Sequence, residues 1–354
     1  MAFSPENRKG TLSGIVFVAL VAASATWIAG LGPVKALGLS PLVVGIVIGI
    51  FYANTLHNHF PPAWESGITF SAKKILRFAI VFYGFRITFQ QIADVGLEGF
   101  LVSLTMLTTT FILGSWLGMK RFGLDRDTAM LTASGASVCG AAAVLATEPV
   151  LKAEEYKAAV AVSMVVLFGT VSMFLYPLLY AGLFQHAQGF LHLSPEQYGI
   201  YVGGTVHEVA QVVAAAGING PGTEMANNAV IVKMTRVLLI APMLILLGLY
   251  LSRKAARSGG GEGAVVKLVI PWFAVYFLGM AAFNSLQILP VALVGWINSV
   301  DTFLLTMAMT ALGMGTRFAK FKGLGMAPLY TALGMFVWLV LGGFVVVKVI
   351  TAIF

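Results

Sequence analysis

The chain has 354 residues, of which 58% are hydrophobic and only 10% charged, with a mean hydropathy of +0.90, whereas a soluble domain carries roughly a quarter charged residues. No soluble core could hide so much apolar side chain, and runs of about 20 apolar residues can each cross ~30 Å of hydrocarbon as a helix. The net charge of +8 would suggest nucleic acid in a soluble protein, but here Lys and Arg sit in short loops between apolar runs and read as topology signals, so no nucleic-acid partner is expected.

Spanning β-barrels are set aside because their segments alternate apolar and polar residues, and these runs do not. The single cysteine, Cys139, excludes an intramolecular disulfide and a multi-cysteine metal site, and no metal or cofactor is expected. The predicted fold is all-α, a polytopic transmembrane bundle of eleven spans with internal repeats and broken crossing helices.

In chain order the runs are 12–31, 39–55, 75–93, 97–119, 127–147, 156–182, 196–217, 225–251, 266–288, 299–317 and 327–353. The start is polar, with Arg8 and Lys9, and the run from Ile15 to Leu31 has no clear small-residue cleavage site, so it reads as a retained first helix. With the N-terminus cytoplasmic, loops on that side receive Arg8, Lys9, Lys73, Lys74, Arg77, Lys120, Arg121, Arg126, Arg253, Lys254, Arg257, Lys267, Arg317, Lys320 and Lys322. That is fifteen of the twenty-two Lys and Arg. Lys35, Arg86, Lys152, Lys157 and Lys348 fall opposite. This sorting predicts a multi-pass protein of the bacterial inner membrane with a periplasmic C-terminus. Residues 1–354 form one membrane domain, and Ser252–Gly263 (SRKAARSGGGEG) reads as a flexible cytoplasmic linker between two bundles. Its basic loops also suit anionic lipid.

Two internal echoes run through the chain. A shift of 69 residues aligns TAMLTASGASVCGAAAVLA at Thr128 with YGIYVGGTVHEVAQVVAAA, placing Gly135 on Gly204 and Ala141 on Ala210, and the match continues from Lys157 against Ala226. A weaker echo links GFRITFQQIADVG at Gly84 with GTRFAKFKGLG at Gly315, on helices of opposite direction, as an inverted repeat would require.

Two segments depart from lipid-facing composition. SGASVCG, Ser134–Gly140, is either small-residue packing between helices or a helix break whose freed N–H groups and hydroxyls face a cavity. In GTVHEVAQ the residues Gly204, His207, Glu208 and Gln211 recur at helical spacing and form one polar stripe. Glu208 is the one carboxylate placed mid-membrane, where a charge costs at least roughly 2.5–3.5 kcal/mol, so it should have a partner. Lys233 and Arg236 follow in the next span, three residues apart on one face, after Asn227 and Asn228. Two cations against one carboxylate favour a small anion, held by Arg forks and backbone N–H groups; alternatively the two cations snorkel to an interface.

HEVAQ at His207 opens like the zinc-helix motif HExxH, but the second histidine is replaced by Gln211. GASVC at Gly135 lacks the last glycine of a nucleophile elbow and its strand–turn–helix setting. There is no Walker A sequence, which argues against a built-in ATP motor.

SGASVCGAAAV, GTVHEVAQVVAA and AVIVKMTRVLLIAP, in that order and spacing, resemble the signature segments of the YeiH-type family of bacterial membrane proteins, usually labelled sulfate exporters. GFRITFQQI and GTRFAKFKG fit the same pattern, so the resemblance covers nearly the whole chain. Ala142 stands where a serine is common in that family and Glu208 where an aspartate is usual, which removes one hydroxyl and shifts a carboxylate by a methylene. More distantly the layout is similar to that of bile-acid/sodium symporters, which implies core helices broken at their crossing and alternating access.

The expected function is therefore a secondary transporter, not an enzyme, that moves a small anion, sulfate or sulfite, across the cytoplasmic membrane with a proton or sodium ion. Substrate would be bound by Lys233 and Arg236, with Ser134, Gly135, Ser137, Gly140, Thr205 and Asn228 around it. His207, Glu208 and Gln211 would balance charge or exchange protons; sodium would instead need carbonyls released at a helix break. A passive anion pore and an intramembrane enzyme using Ser137, Cys139 or His207 are the alternatives. A homo-oligomer is compatible with the chain.

Overall fold

A computed structural model describes residues 7–32, 34, 40–217, 221–257, 271–321 and 325–354. Its helices are α1 Arg8–Ala29, α2 Pro41–Phe51, α3 Glu65–Phe70, α4 Leu76–Tyr83, α5 Phe89–Trp116, α6 Arg126–Ser137, α7 Ala141–Leu151, α8 Glu155–Leu179, α9 Pro195–Thr205, α10 Val209–Ala216, α11 Glu224–Leu238, α12 Ile240–Arg257, α13 Trp272–Ser285, α14 Val291–Gly315, α15 Met326–Val337 and α16 Gly343–Ile353. Wider π turns prolong several into longer rods, so that α15 and α16 form one run, Met326–Ile353. Among the described residues there is no strand, and seven helices are long and apolar enough to cross a membrane. The all-α membrane reading therefore stands, and the count of eleven spans does not follow from it.

The chain divides into two compact units. The first comprises Met1–Asp94, Ala216–Asn227 and Trp272–Lys320. Here α14 packs against α1, α2 and α4, and two glycine pairs let backbones touch. A Cβ on Gly313 would lie 3.0 Å from the Gly49 Cα, and one on Gly67 would lie 2.7 Å from the Gly14 Cα. In lipid, where apolar side chains gain nothing by leaving the solvent, such close backbone approach is a main source of helix association. α14 begins at Val291, directly after Pro290, earlier than the expected run 299–317. Asp301 is consequently well inside a span and 1% exposed, so Glu208 is not the one carboxylate within the spans, as the sequence suggested.

The second unit comprises Val95–Ala215, Asn228–Pro271 and Phe321–Phe354. The expected spans 127–147 and 196–217 do not cross; each turns back on itself. The Ser134 and Thr147 hydroxyls lie 2.6 Å apart across thirteen residues, which a continuous helix would separate by about 20 Å. The reversal falls at Val138–Gly140, with Gly140 at φ 78°, ψ −138°, a conformation that only glycine adopts without strain. Likewise the Tyr198 hydroxyl donates to the Ala215 carbonyl at 3.1 Å, seventeen residues on. That chain leaves α9 through Val206 in extended conformation. The arms α6, α7, α9 and α10 have 12, 11, 11 and 8 residues, about half the length needed to span a bilayer.

The two hairpins enter from opposite ends of the rod Met326–Ile353, whose 28 residues measure ~42 Å. At its start, the Tyr330 ring lies tilted against Phe122 at the base of the α6–α7 hairpin, with centroids 5.9 Å apart. At its finish, Thr351 Oγ1 accepts from Gln197 Nε2 at 3.0 Å and Lys348 Nζ donates to the His192 carbonyl at 3.0 Å, both at the base of the α9–α10 hairpin.

Each base is capped. Ser194 and Gln197 make a reciprocal capping box on α9, and Asp125 accepts from the Asp127 and Thr128 N–H groups of α6. Burial pushes the Asp125 carboxyl up, but hydrogen bonds from Thr128 and from Lys157, whose Nζ is 3.0 Å away, outweigh it and hold the group below its ordinary range. That anchor is thus complete above about pH 4 and lost as the pH falls through the lowered value. Lys157 lies at the start of α8, so α6 begins and α7 ends on the same side, and Lys152 and Lys157 join Arg126 instead of lying opposite it. The linker Ser252–Gly263 is corrected in part: Ser252–Arg257 continues α12, and the remainder lies outside the described residues.

Gly313→Ala forces its methyl against the Ile46 carbonyl and the Gly49 backbone and should cost roughly 1–3 kcal/mol as overpacking. Gly279→Ala, with open space around the new methyl in α13, should stabilise by about 0.5–1 kcal/mol. Thermal unfolding in one detergent should move the midpoint down for the first and up for the second.

Candidate functional site

Within the second unit the tips of the two hairpins meet around α11. Where a helix stops inside a membrane its last carbonyls have no water to accept from, and they must find donors in the protein. The donors here are Lys233 and Arg236. Lys233 Nζ donates to the Val138 carbonyl at 2.8 Å and the Val206 carbonyl at 2.7 Å, one from each tip. Arg236 donates from Nε to Ser137 O at 3.2 Å, from Nη1 to Gly204 O at 2.6 Å, and from Nη2 to Ala136 O at 3.2 Å and to Ser137 O. Both side chains are 0% exposed, so neither snorkels to an interface.

This arrangement places two fixed cations on the negative ends of the dipoles of α6 and α9, where a cation is favoured. The return arms α7 and α10 start from the same tips, and their N-terminal ends carry the opposite polarity. Glu208 meets one of them: its Oε1 accepts from the Ala141 N–H at 3.2 Å, crossing from one hairpin to the other. A Cβ on Gly140 would lie 2.9 Å from that same oxygen and closer still to Glu208 Cγ, so glycine is required there for contact as well as for its positive φ. Gln211 serves the other return arm, with its Oε1 accepting from the Glu208 N–H at 3.0 Å. Its amide also presses on Gly169 of α8, where any side chain would collide with it.

The remaining expected residues divide by what their polar atoms touch. Ser134 is spent inside its hairpin, on Thr147 and the Ala143 carbonyl, and Gly135 is a packing position against Val144 and Val165. The Ser137 hydroxyl donates to Ser134 O at 3.2 Å while its carbonyl receives Arg236. Thr205 Oγ1 donates to Tyr201 O at 2.5 Å, and its methyl abuts Gly343. Asn228 is buried on α11, 6% exposed. His207 is 2% exposed and its Nδ1 has no hydrogen-bond partner, whereas Glu208 is only partly buried. Among the described residues no group of three His, Cys, Asp or Glu side chains could hold a metal ion.

Thr147, Tyr198, Gly169 and Gly343 were missed in the sequence. Thr147 carried a readable signal, a hydroxyl in an otherwise apolar stretch. If the two cations hold the tips, Lys233→Met should destabilise the protein by at least about 3 kcal/mol, since it strips charge-assisted bonds worth roughly 1.5–3 kcal/mol each from two buried carbonyls. An unfolding midpoint equal to that of the unmodified protein would show that the carbonyls find other donors.

Comparison with known proteins gives the same answer over nearly the full length. The family described as Conserved hypothetical protein 698 matches residues 13–332. A UPF0324 membrane protein of Bordetella pertussis is 50% identical over 347 residues, 98% of this chain and 97% of its own length. One from Pseudomonas putida is 49% identical over 97% of this chain and 94% of its own. The UPF0324 inner membrane protein YeiH of Escherichia coli K12 is 46% identical, covering 94% of this chain and 92% of its own. The YeiH-type resemblance read from the three signature segments is thereby borne out, and the chain belongs to the UPF0324 family of membrane proteins.

Proposed function

We propose that the chain is a secondary transporter of a small anion, sulfate or sulfite, coupled to a proton or sodium ion. The observation that carries the reading is the meeting of two oppositely inserted half-length hairpins over Lys233 and Arg236. Irregular backbone at that depth is tolerated where it is buried in protein or lines a cavity, and paired broken helices at the midplane are the usual site of secondary transporters. The hairpin starts Arg126 and Pro195, and the following helix starts Glu155 and Glu224, are each 69 residues apart. The same offset appeared in the sequence, so the two halves read as an inverted duplication.

The charge balance supports an anion. With the Lys233 and Arg236 donors engaged by carbonyls, their positive field remains, and direct contacts come from the N-terminal ends of α7 and α10, which attract anions by dipole and free N–H groups together. Glu208 occupies the Ala141 N–H in the structure as an internal anion. In this reading the substrate takes that position from it, with Ser137, Gly140, Thr205 and Asn228 nearby, and His207, Glu208 and Gln211 answer the change in charge. The turn-back of the first hairpin moves Lys152 and Lys157 to the cytoplasmic side, so that seventeen of the twenty-two Lys and Arg lie there, which supports a cytoplasmic N-terminus and a periplasmic C-terminus.

The test is uptake of labelled sulfate and sulfite by liposomes holding the purified chain, with and without imposed proton and sodium gradients. Saturable, gradient-driven flux is expected. Glu208→Gln, which removes the competing charge but keeps the hydrogen-bond acceptor, should tighten anion binding several-fold and slow flux at least about tenfold. Flux that neither saturates nor responds to a gradient would identify a pore; no flux of either anion by folded protein would end the sulfur-oxyanion assignment.

A further inference from the structure

A second buried polar cluster lies in the first unit. Arg86, in the turn Gly84–Arg86, reaches α14. Its Nη2 donates to Asp301 Oδ2 at 3.2 Å, to Thr302 Oγ1 at 2.9 Å and to the Asn298 carbonyl, and its Nε reaches Asp301 Oδ2 at 3.4 Å. All of these contacts leave one carboxylate oxygen aside. Asp301 is 1% exposed, yet its Oδ1 is sealed from solvent with no hydrogen-bond partner. One helical turn earlier, Asn298 Oδ1 is in the same condition, and residues three apart share a helix face. Two buried oxygens, both acceptors, want something that donates or coordinates.

We propose that the Asp301 carboxylate is a binding site for a monovalent cation, a proton or a sodium ion, held on the oxygen that Arg86 does not use. A proton there turns an unpaired acceptor into a donor; sodium, a hard cation, takes oxygen ligands of the type that Asp301 and Asn298 present. Binding neutralises the carboxylate, and Arg86 must then keep its charge by other means. The cluster provides them. The guanidinium lies 5.3 Å from the centre of the Tyr83 ring, a favourable place for a cation, and retains its bonds to Thr302 and the Asn298 carbonyl. The Tyr83 hydroxyl is fixed by the Gly222 N–H and Asn227 Oδ1, each at 3.3 Å, and Asn227 Nδ2 donates to the Arg86 carbonyl at 3.4 Å.

Arg86 is the charged group paired with Asp301, at 3.2 Å, and the Tyr83 ring lies beside its guanidinium. On the elements packed around α14, Lys73, Lys74 and Arg77 are exposed, and Glu65 pairs with Arg317 at 3.4 Å beyond the far end of the helix. The site stands on its own geometry whatever anion is carried. If the transporter reading holds, it supplies the coupling ion.

The test uses the full chain in lipid nanodiscs, without any transport assay. Sodium chloride is titrated against potassium chloride at constant ionic strength while the unfolding midpoint is followed, and infrared spectra are recorded between about pH 5 and pH 9 for the carbonyl stretch of a buried carboxylic acid. A saturable rise in midpoint with sodium but not potassium, abolished in Asp301→Asn, identifies sodium. An acid band that titrates in this range, is indifferent to sodium and disappears in Asp301→Asn identifies a proton. If Asp301→Asn does not fold, Asn298→Ala should weaken the sodium response or shift the acid band several-fold along its titration. Unmodified protein that shows neither signal, or a signal that survives Asp301→Asn unchanged, overturns the proposal.

Discussion

The second unit depends on one set of bonds, the donation of Lys233 and Arg236 to carbonyls at two helix ends in the middle of the bundle. A chain can reverse direction inside a bilayer only if the groups freed by the reversal are satisfied without water. Three carbonyls bonded to Arg236 or Lys233 from one hairpin and two from the other, at residues 136–138, 204 and 206, find their donors on one turn of one helix. Arg and Lys divide the work by shape: the planar fork spans three carbonyls at fixed angles, while the ammonium bridges one carbonyl from each tip.

Small residues follow from the same constraint. For the tips to approach α11 closely, Gly140 must accept Glu208 against its Cα, Gly135 must admit Val144 and Val165, and Gly169 must leave room for the Gln211 amide. Glu208 and Gln211 then provide for the opposite polarity, one at the start of each return arm. Cations sit at the helix ends that point negative, and the carboxylate sits at one that points positive. A site built this way is ordered by main-chain dipoles first and by side-chain pairing second.

Much of this was legible in the residues. Apolar runs located the helices, and the spacing of Lys233 and Arg236 put both on one face; Gly204, His207, Glu208 and Gln211 fall at the second tip, but the break between Thr205 and Val209 means that they share no single helix face. What could not be read was whether SGASVCG and GTVHEVAQ interrupt a crossing or turn the chain round, because helical periodicity is identical in both cases until a contact such as Ser134 to Thr147 is known. Asp301 was missed for a different reason. Trp296, Asn298 and Ser299 dilute the hydropathy of the first turns of α14, so the span was begun too late and the carboxylate was left at its edge. Lys157 falls beside Asp125 and Arg126 because the first hairpin returns the chain to the end from which it entered.

The rod Met326–Ile353 touches the base of one hairpin at Tyr330 and the base of the other at Lys348 and Thr351. It therefore acts as a ruler. Two opposed hairpins can bring their tips together only if the sum of their depths equals the distance between their points of entry, and that distance is written in the length of a single helix. Each residue added to or removed from the rod would open or overlap the tips by about 1.5 Å, so this helix is expected to keep its length through sequence change even where its lipid-facing side chains are replaced freely.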